Sequence, residues 1–182
     1  EDGGALLVAA GPDYASAASL YRSPLADILP GMPTARVIEA PFVPRISELG
    51  QRHPVTAGLQ EAHQPLPDSD QPWGRWMRQI EVTVQSGQTV MTGDGDAPLL
   101  ILDRVGEGRV ALLASDHAWL WDRGYEGGGP QLEMLRRLAH WMMGEPELEE
   151  EALVAQTDGQ TLRVTRRTLA ETVGAMRVTA PD

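Results

Sequence analysis

The sequence predicts an α/β domain with a mainly parallel sheet and a short β tail, and three observations carry that prediction. Residues 5–10 are an uninterrupted apolar run next to glycines, which is typical of a strand buried on both faces. Residues 130–143 repeat apolar side chains at helical spacing. An acidic connector and short strand-like segments follow this helix. We therefore divide the chain into an α/β domain, residues 1–145, and a linker with a β tail, residues 146–182, which could open a second domain.

The first strand ends in a turn, after which a short helix and a second strand are predicted. A Gly-Pro-Asp sequence breaks the apolar run after residue 10. Residues 16–29 predict a helical stretch that a proline interrupts, and residues 35–40 predict a strand. The proline-containing segment 51–74 has no sustained period. A loop of this length inside a compact domain indicates a functional segment or an insertion.

Strand signals return in the second half of the chain. Four segments have strand-like alternation or apolar content, at residues 79–84, 89–92, 99–105 and 109–114. The sequence Gly106-Glu107-Gly108 between the last two predicts a hairpin turn. In the tail we predict strands at residues 152–156, 161–165 and 176–179, with a tight Asp158-Gly159 turn between the first two.

The helix at residues 130–143 has signals at both of its ends. Pro130 stands in the first turn, where its missing N–H costs nothing, and Glu133 lies near the positive end of the helix dipole. His140 lies in a late turn, where it favours the dipole. Gly144 and Pro146 then end the helix.

Composition excludes several functional classes. The formal net charge of −11 repels phosphate backbones, so we expect no nucleic-acid partner. The absence of cysteine excludes disulfides, thiolate metal sites and thiol nucleophiles. No apolar run approaches the roughly 18 residues that a membrane-spanning helix needs, so we expect no direct membrane insertion by this fragment.

Two strand ends carry the candidate site residues. Gly11 and Asp13 form the turn after the first strand, and Ser115, Asp116 and His117 follow the strand at residues 109–114. Ligands of α/β folds gather at such strand ends. Asp13 is a ligand residue or, as the simpler interpretation, a helix cap. A catalytic triad of three sequence neighbours is disfavoured because adjacent strand residues point apart. His117 or Asp116 lining a pocket, or bonding backbone groups at the sheet edge, are the alternatives.

An aromatic pair stands just beyond these polar residues. Trp119 and Trp121 would lie on the same side if the strand continued. Two such indoles form a ligand platform or, as we favour, anchor the following helix on the sheet. We predict that one of them is largely buried between the sheet and the helix at residues 130–143.

We expect neither a metal nor a cofactor. The four histidines are His53, His63, His117 and His140, and none has the i, i+2 or i, i+4 spacing of a zinc site. The glycine-rich residues 124–129 precede a helix, but the spacing fits no phosphate-binding loop and the chain has no lysine. We interpret them as a flexible loop.

Several short segments resemble class I glutamine amidotransferase-like domains. Residues 3–11 resemble the central strand and turn of that family, and residues 53–59, His-Pro-Val-Thr-Ala-Gly-Leu, are similar to a segment of its non-catalytic relatives. Residues 106–116, followed by Trp119 and Trp121, resemble the late strand and aromatic turn of amidotransferase-like domains in large bacterial membrane proteins. The resemblance spans about residues 3–145 and implies a flavodoxin-like three-layer sandwich.

The chain departs from the family where catalysis occurs. Active members carry a cysteine at the turn where this chain has Ala10-Gly11-Pro12, and a glutamate two positions after a histidine, where Trp119 follows His117. The resemblance therefore implies a scaffold without the reaction. We expect a non-catalytic binding or interaction domain of a larger protein, with Gly11, Asp13, Ser115, Asp116, His117 and Trp119 as its ligand-binding candidates. The alternative is a hydrolase or sugar-modifying enzyme that uses Asp13, Asp116 or His117 as acid or base.

The resemblance also sets expectations for partners and location. A protein partner or the remaining domains of the parent chain would bind the domain, and the parent would tether it to a bacterial inner membrane. In the family's sheet the strand equivalent to residues 5–10 is central. We therefore predict that Leu6, Leu7 and Val8 are buried and that their strand pairs on both sides within the chain, with a symmetric dimer as the alternative.

Overall fold

The computed structural model describes residues 3–64, 71–175 and 177. Its strands are β1 (Ala5–Ala9), β2 (Gly31–Ile38), β3 (Arg45–Ile46), β4 (Gln79–Val84), β5 (Gln88–Thr92), β6 (Pro98–Val105), β7 (Gly108–Leu113), β8 (Ala152–Asp158) and β9 (Thr161–Arg167). Its α-helices are α1 (Trp119–Asp122) and α2 (Gln131–Met142). A five-stranded sheet in the order β1-β7-β6-β5-β3 forms the centre, and two-stranded ribbons β2-β4 and β8-β9 accompany it.

The predicted flavodoxin-like sandwich with a mainly parallel sheet is wrong. In the five-stranded sheet only β1 and β7 run parallel, whereas β7-β6, β6-β5 and β5-β3 are antiparallel. The physical reason lies in the connections. Parallel neighbours need a crossover of a dozen or more residues, but β6 and β7 are joined by a tight turn and β5 and β6 by five residues.

The two faces of the central sheet are covered by different structures. On one face α2, the turns after β3 and four tryptophans form a core with β5, β6 and β7. On the other face the β2-β4 ribbon and a series of 3₁₀ turns pack against Val110, Leu112 and Ile101. A ribbon thus occupies the layer where a flavodoxin-like fold would have helices.

Two short 3₁₀ turns, at Leu20–Arg22 and Pro24–Asp27, replace the helix predicted at residues 16–29, and a third lies just before it at Pro12–Ala15. Two serines explain the interruptions. The side chain of Ser19 accepts a hydrogen bond from Tyr21 N–H, and that of Ser23 accepts one from Leu25 N–H. Each serine therefore starts a new turn instead of continuing the previous one.

Helix α2 confirms the predicted helix and lies on the sheet. Met134, Leu138 and Trp141 form its buried face. On one flank, Arg137 donates to the Ala57 carbonyl, which joins the helix to the turns that follow β3. The helix ends before Gly144, whose φ of 78° is in the left-handed region that glycine favours.

Strand β1 is an edge strand, which contradicts the predicted burial. Within the described residues it pairs with β7 alone, and Leu7 is 42% exposed. Leu6 and Val8 are half-buried against the β2-β4 side. The prediction failed because it took the central position of this strand from the sheet of the resembled family, whereas the sheet of this chain has β1 at its end.

The tail forms the predicted hairpin. Strands β8 and β9 pair in antiparallel register from Ala152–Arg167 to Asp158–Thr161. The third tail strand, predicted at residues 176–179, lies outside the described residues except for residue 177. Across the described part of the chain, every helix is too short or too polar to cross a bilayer.

Candidate functional site

The polar candidates lie at the carboxyl ends of β1 and β7. Because these two strands are parallel, the turns that follow them meet at one edge of the sheet. A Cβ atom placed on Gly11 would lie 3.3 Å from Oδ2 of Asp116. The structure therefore brings the predicted residues Gly11 and Asp116 together, and the missing glycine side chain leaves room for this carboxylate.

Asp116 is held by an arginine. The Arg78 guanidinium donates from Nε to Oδ1 at 3.2 Å and from Nη2 to Oδ2 at 2.9 Å. Arg78 directly precedes β4, which places it across the sheet edge from Asp116. A bidentate pair of this kind fixes both oxygens of the carboxylate. Asp116 is thus a positioned anion and a poor general base.

Ser115 is a buried structural residue. Its exposed fraction is 0%. The Oγ atom donates to the Arg78 carbonyl at 2.6 Å and accepts from His117 N–H at 3.1 Å. Since the hydroxyl donates its proton to a backbone carbonyl and not to a base, Ser115 is not activated as a nucleophile in this geometry.

His117 accepts a hydrogen bond through its ring. Met77 N–H donates to Nδ1 at 3.2 Å, and Nε2 lies 3.7 Å from Oδ1 of Asp116. Burial lowers the pKa of His117 from its ordinary value, Asp116 opposes this effect and Arg78 adds to it. The neutral imidazole, with its proton on Nε2, is the form that satisfies Met77.

The two tryptophans after these residues differ in solvent exposure. Trp121 is 3% exposed, donates from Nε1 to the Gly74 carbonyl at 2.8 Å, and lies 5.1 Å from the Trp73 ring. Trp119 is 53% exposed and its ring lies 6.2 Å from that of His117. The prediction that one of the pair is buried is confirmed. The chain turns into helix α1 here, so residues two apart point in different directions.

Asp13 is not part of the hydrogen-bonded polar cluster within the described residues. It is exposed, in the 3₁₀ turn Pro12–Ala15, and Gly11 occupies the cap position that was expected for it. Across the described residues, no hydrogen bond joins its carboxylate to Asp116 or His117. The neighbouring Tyr14 is buried, and its hydroxyl donates to the Gly31 carbonyl at 2.6 Å. Asp13 and His117 therefore form no acid–base pair.

No group of three metal-ligating side chains occurs in the parts of the chain that are described. Three of the histidines have other partners. His63 contacts the Gly127 carbonyl at 3.0 Å, and His140 Nδ1 lies 2.6 Å from Glu145. His53 is fully buried beside Trp141, with ring centroids 5.9 Å apart.

The glycine-rich segment has a packing role that the sequence did not reveal. A Cβ on Gly129 would lie 2.4 Å from the Trp121 ring, and Gly74 N–H donates to the Gly128 carbonyl at 2.7 Å. Glycine is therefore required for the backbone to pass over the indole. The nearby tryptophans were the only signal in the sequence, and they do not specify which backbone they contact.

A second polar cluster lies at the other end of β7 and was missed. It joins Arg104, Arg109, His53 and Trp141 to Glu149 and Glu150 of the acidic connector. The five glutamates at residues 145–151 were interpreted as a linker. A run of like charges is usually solvated, so no sequence signal placed two of these glutamates in a cleft.

The comparisons with known proteins identify no family. No family model and no curated protein match the chain. Among solved structures, the chain is similar to cytoplasmic protein STM3548 from Salmonella typhimurium, with 23% identity, a TM-score of 0.48, and 63% of this chain and 44% of that chain covered. It is also similar to cytoplasmic protein STM1381 from Salmonella typhimurium LT2, with 22% identity, a TM-score of 0.44, and 78% and 52% covered.

The chain thus spans about half the length of each of these two structures. At such TM-scores neither likeness carries an argument about fold or function.

Proposed function

We propose that the chain is a non-catalytic binding or interaction module with segments similar to those of glutamine amidotransferase-like domains. One observation carries the proposal: the polar side chains at the strand ends bond to one another and to backbone groups. Asp116 is paired with Arg78, Ser115 donates to a carbonyl, and His117 accepts from Met77 N–H. This arrangement holds a rigid surface and leaves no nucleophile beside a base.

The exposed indole of Trp119 supports a contact role for this surface. Tryptophan is enriched where proteins bind one another, because its large ring loses little conformational entropy on burial. Its neighbours His117 and Asp116 supply polar groups at the rim. We propose that Gly11, Asp116, His117 and Trp119 form the contact surface for a protein partner or for other domains of the parent chain.

The alternative, a hydrolase or sugar-modifying enzyme, has weaker support. Its candidate base Asp116 forms an ion pair with Arg78. Asp13, the other candidate carboxylate, makes no hydrogen bond to His117 within the described residues. General acid–base catalysis needs a group with a free lone pair or proton near the substrate. Within the described residues, His117 Nε2 and the exposed Asp13 carboxylate meet this condition, but no hydrogen bond brings them together.

An activity assay tests the proposal. We expect the purified chain to release no ammonia from glutamine above a heat-treated control, because thiol chemistry needs a cysteine and the chain has none. We likewise expect no turnover of p-nitrophenyl esters or glycosides. The variants Gly11→Cys and His117→Ala serve as controls and should give the same background. Turnover that His117→Ala abolishes would contradict the proposal and favour the enzyme.

Tethering to a bacterial inner membrane through a parent protein is part of the same proposal. It depends on the sequence resemblance alone. Apolar spans in the reading frame around this segment would support it, and a frame without any would remove this part while leaving the binding role intact.

A further inference from the structure

Two arginines mark the beginning of β7, at the opposite end of the strand from the site described above. Arg104 on β6 and Arg109 on β7 are register partners in the sheet. Arg109 is 7% exposed, donates from Nη1 to the Trp141 carbonyl and stacks over the Trp141 ring at 5.2 Å. A buried guanidinium costs free energy unless an anion accompanies it. This end of the sheet is therefore built to hold negative charge.

The connector supplies that charge through two consecutive glutamates. Glu149 accepts hydrogen bonds from Arg104 and from Arg109. Glu150 accepts one from Arg104 and another from Trp141 Nε1 at 2.8 Å. The Glu150 side chain is only 12% exposed. Each carboxylate thus has at least two donors. The hydrogen bond from the rigid indole also fixes the orientation of the Glu150 carboxylate, which a surface ion pair does not do.

A buried histidine adds a third donor that is aimed at the same carboxylate. His53 is 0% exposed, and Val55 N–H donates to its Nδ1 at 3.2 Å, so its proton is on Nε2. That Nε2 atom lies 3.4 Å from Oε1 of Glu150 but makes no well-formed hydrogen bond. A fully buried donor without a bond lowers stability, because it has lost its hydrogen bonds to water. The site therefore has donor capacity that Glu150 does not use completely.

We propose that Arg104, Arg109, His53 and Trp141 form a binding site for an acidic peptide, which the chain's own Glu149 and Glu150 occupy in cis. The ligand is a segment with two adjacent carboxylates, because the two arginines and the indole N–H bind neighbouring side chains of an extended backbone. A cleft of about 580 Å³ adjoins the site and is lined by Leu102, Trp141 and the connector. An incoming peptide can therefore enter this cleft before Glu149 and Glu150 are displaced.

The connector also determines whether the site is accessible. Residues 149–150 lie directly before the β8-β9 hairpin, which is exposed over most of its length. Arg167 of the hairpin donates to the Glu147 carbonyl, so the hairpin and the connector are joined. A two-stranded ribbon contributes little stability of its own. Displacement of the two glutamates would therefore release the hairpin together with the connector.

Peptide binding to three forms of the chain tests this inference. The probe is a fluorescein-labelled peptide with the sequence of residues 146–152, followed by fluorescence anisotropy. Glu149→Ala/Glu150→Ala opens the site, and Glu147→Ala/Glu171→Ala is the matched control, since it removes two exposed carboxylates, one of them in the connector itself, and leaves both glutamates of the site in place. We expect the opened variant to bind at least about tenfold more tightly than the wild type or the control. Adding Arg104→Ala to it should reverse the gain.

The specificity of binding is tested with a second peptide that has Gln in place of Glu149 and Glu150. We expect it to bind at least about tenfold more weakly, because an amide cannot match a charge-assisted bond to arginine. Equal binding of both peptides, or a folded opened variant that binds neither, would overturn the proposal. Gain of binding in the matched control would overturn it as well.

Hydrogen exchange of the unmodified chain covers the case in which the opened variant unfolds. The acidic peptide at millimolar concentration should accelerate exchange of the amides in β8 and β9 by displacing the connector. The Gln peptide should leave these rates unchanged. Unchanged exchange with both peptides would refute a cis-occupied site, whereas the proposed role of the Trp119 surface would be untouched.

Discussion

At the scale of single residues, the proton affinity of His117 depends on the groups that its two ring nitrogens face. Its Nδ1 atom accepts from Met77 N–H, and protonation of that nitrogen would break the bond. Burial lowers its pKa further, Asp116 raises it and Arg78 lowers it. The folded state therefore binds a proton less readily than the unfolded chain does. It follows that this residue's contribution to stability is present above the ordinary histidine pKa of about 6.5 and is lost as the pH falls below that value.

An NMR titration of the ring protons checks this. We expect His117 to titrate below the ordinary value of about 6.5. In Asp116→Asn the pKa should fall further, because the carboxylate that raises it is gone and Arg78 is left unpaired. Asp158→Asn, in the distant hairpin, should leave the titration unchanged. A pKa at or above the ordinary value would show that the Met77 bond does not hold in solution.

The sequence located part of this cluster. Ser115, Asp116 and His117 were placed at one strand end and Gly11 at another, and the structure brings the Asp116 carboxylate close to Gly11. Arg78 was not predicted, because it is 38 positions from Asp116 and its approach depends on how β4 crosses the sheet. Long-range partners of this kind follow from topology, which local patterns do not specify.

At the scale of elements, helix α1 decides the roles of the two tryptophans. It turns one indole into the core against Trp73 and Trp76 and leaves the other in solvent. The sequence supported an aromatic anchor, but a continued strand would have placed Trp119 and Trp121 on one side. Because helical geometry separates them, we expect their substitution to have very different effects.

Alanine substitution of each tryptophan measures that difference. Trp121→Ala should lower the free energy of unfolding by about 3–5 kcal/mol, since it leaves a cavity and an unpaired Gly74 carbonyl. Trp119→Ala should change it by less than about 0.5 kcal/mol. Urea denaturation followed by circular dichroism gives both values. Equal losses in the two variants would contradict the assigned burial.

The difference between local and long-range structure explains why the hairpins were predicted and the sheet type was not. Helix α2, the turn between β6 and β7 and the β8-β9 turn are local features, and each was predicted near its observed bounds. Whether neighbouring strands run parallel depends on the connection between them, and the two-residue and five-residue connections make the β6-β7 and β5-β6 pairs antiparallel. The apolar run at β1 suggested a parallel sheet throughout, but only its own pairing with β7 is parallel.

At the scale of the whole molecule, strand β1 has one edge without a partner among the described strands, and this edge favours association while the negative charge of the chain opposes it. Its residues carry no charge and include no proline, so the edge lacks the usual features that prevent strand addition. Leu7, on the α2 side of the sheet, is 42% exposed next to this edge. The net charge of −11 opposes association over longer distances, but salt screens that repulsion beyond about 10 Å at 0.1 M. The balance therefore depends on ionic strength.

We expect the 182-residue chain to associate more as protein concentration and salt rise, through the β1 edge. Leu7→Lys should weaken this association, because pairing would place a charge against apolar partner atoms, while the folded state tolerates a lysine at an exposed position. Leu132→Lys is the matched control, since Leu132 is 80% exposed and belongs to helix α2 and not to the strand edge. Sedimentation velocity over a concentration series distinguishes them. A wild-type chain that stays monomeric at high salt, or equal effects of the two lysines, would show that β1 is not the associating edge.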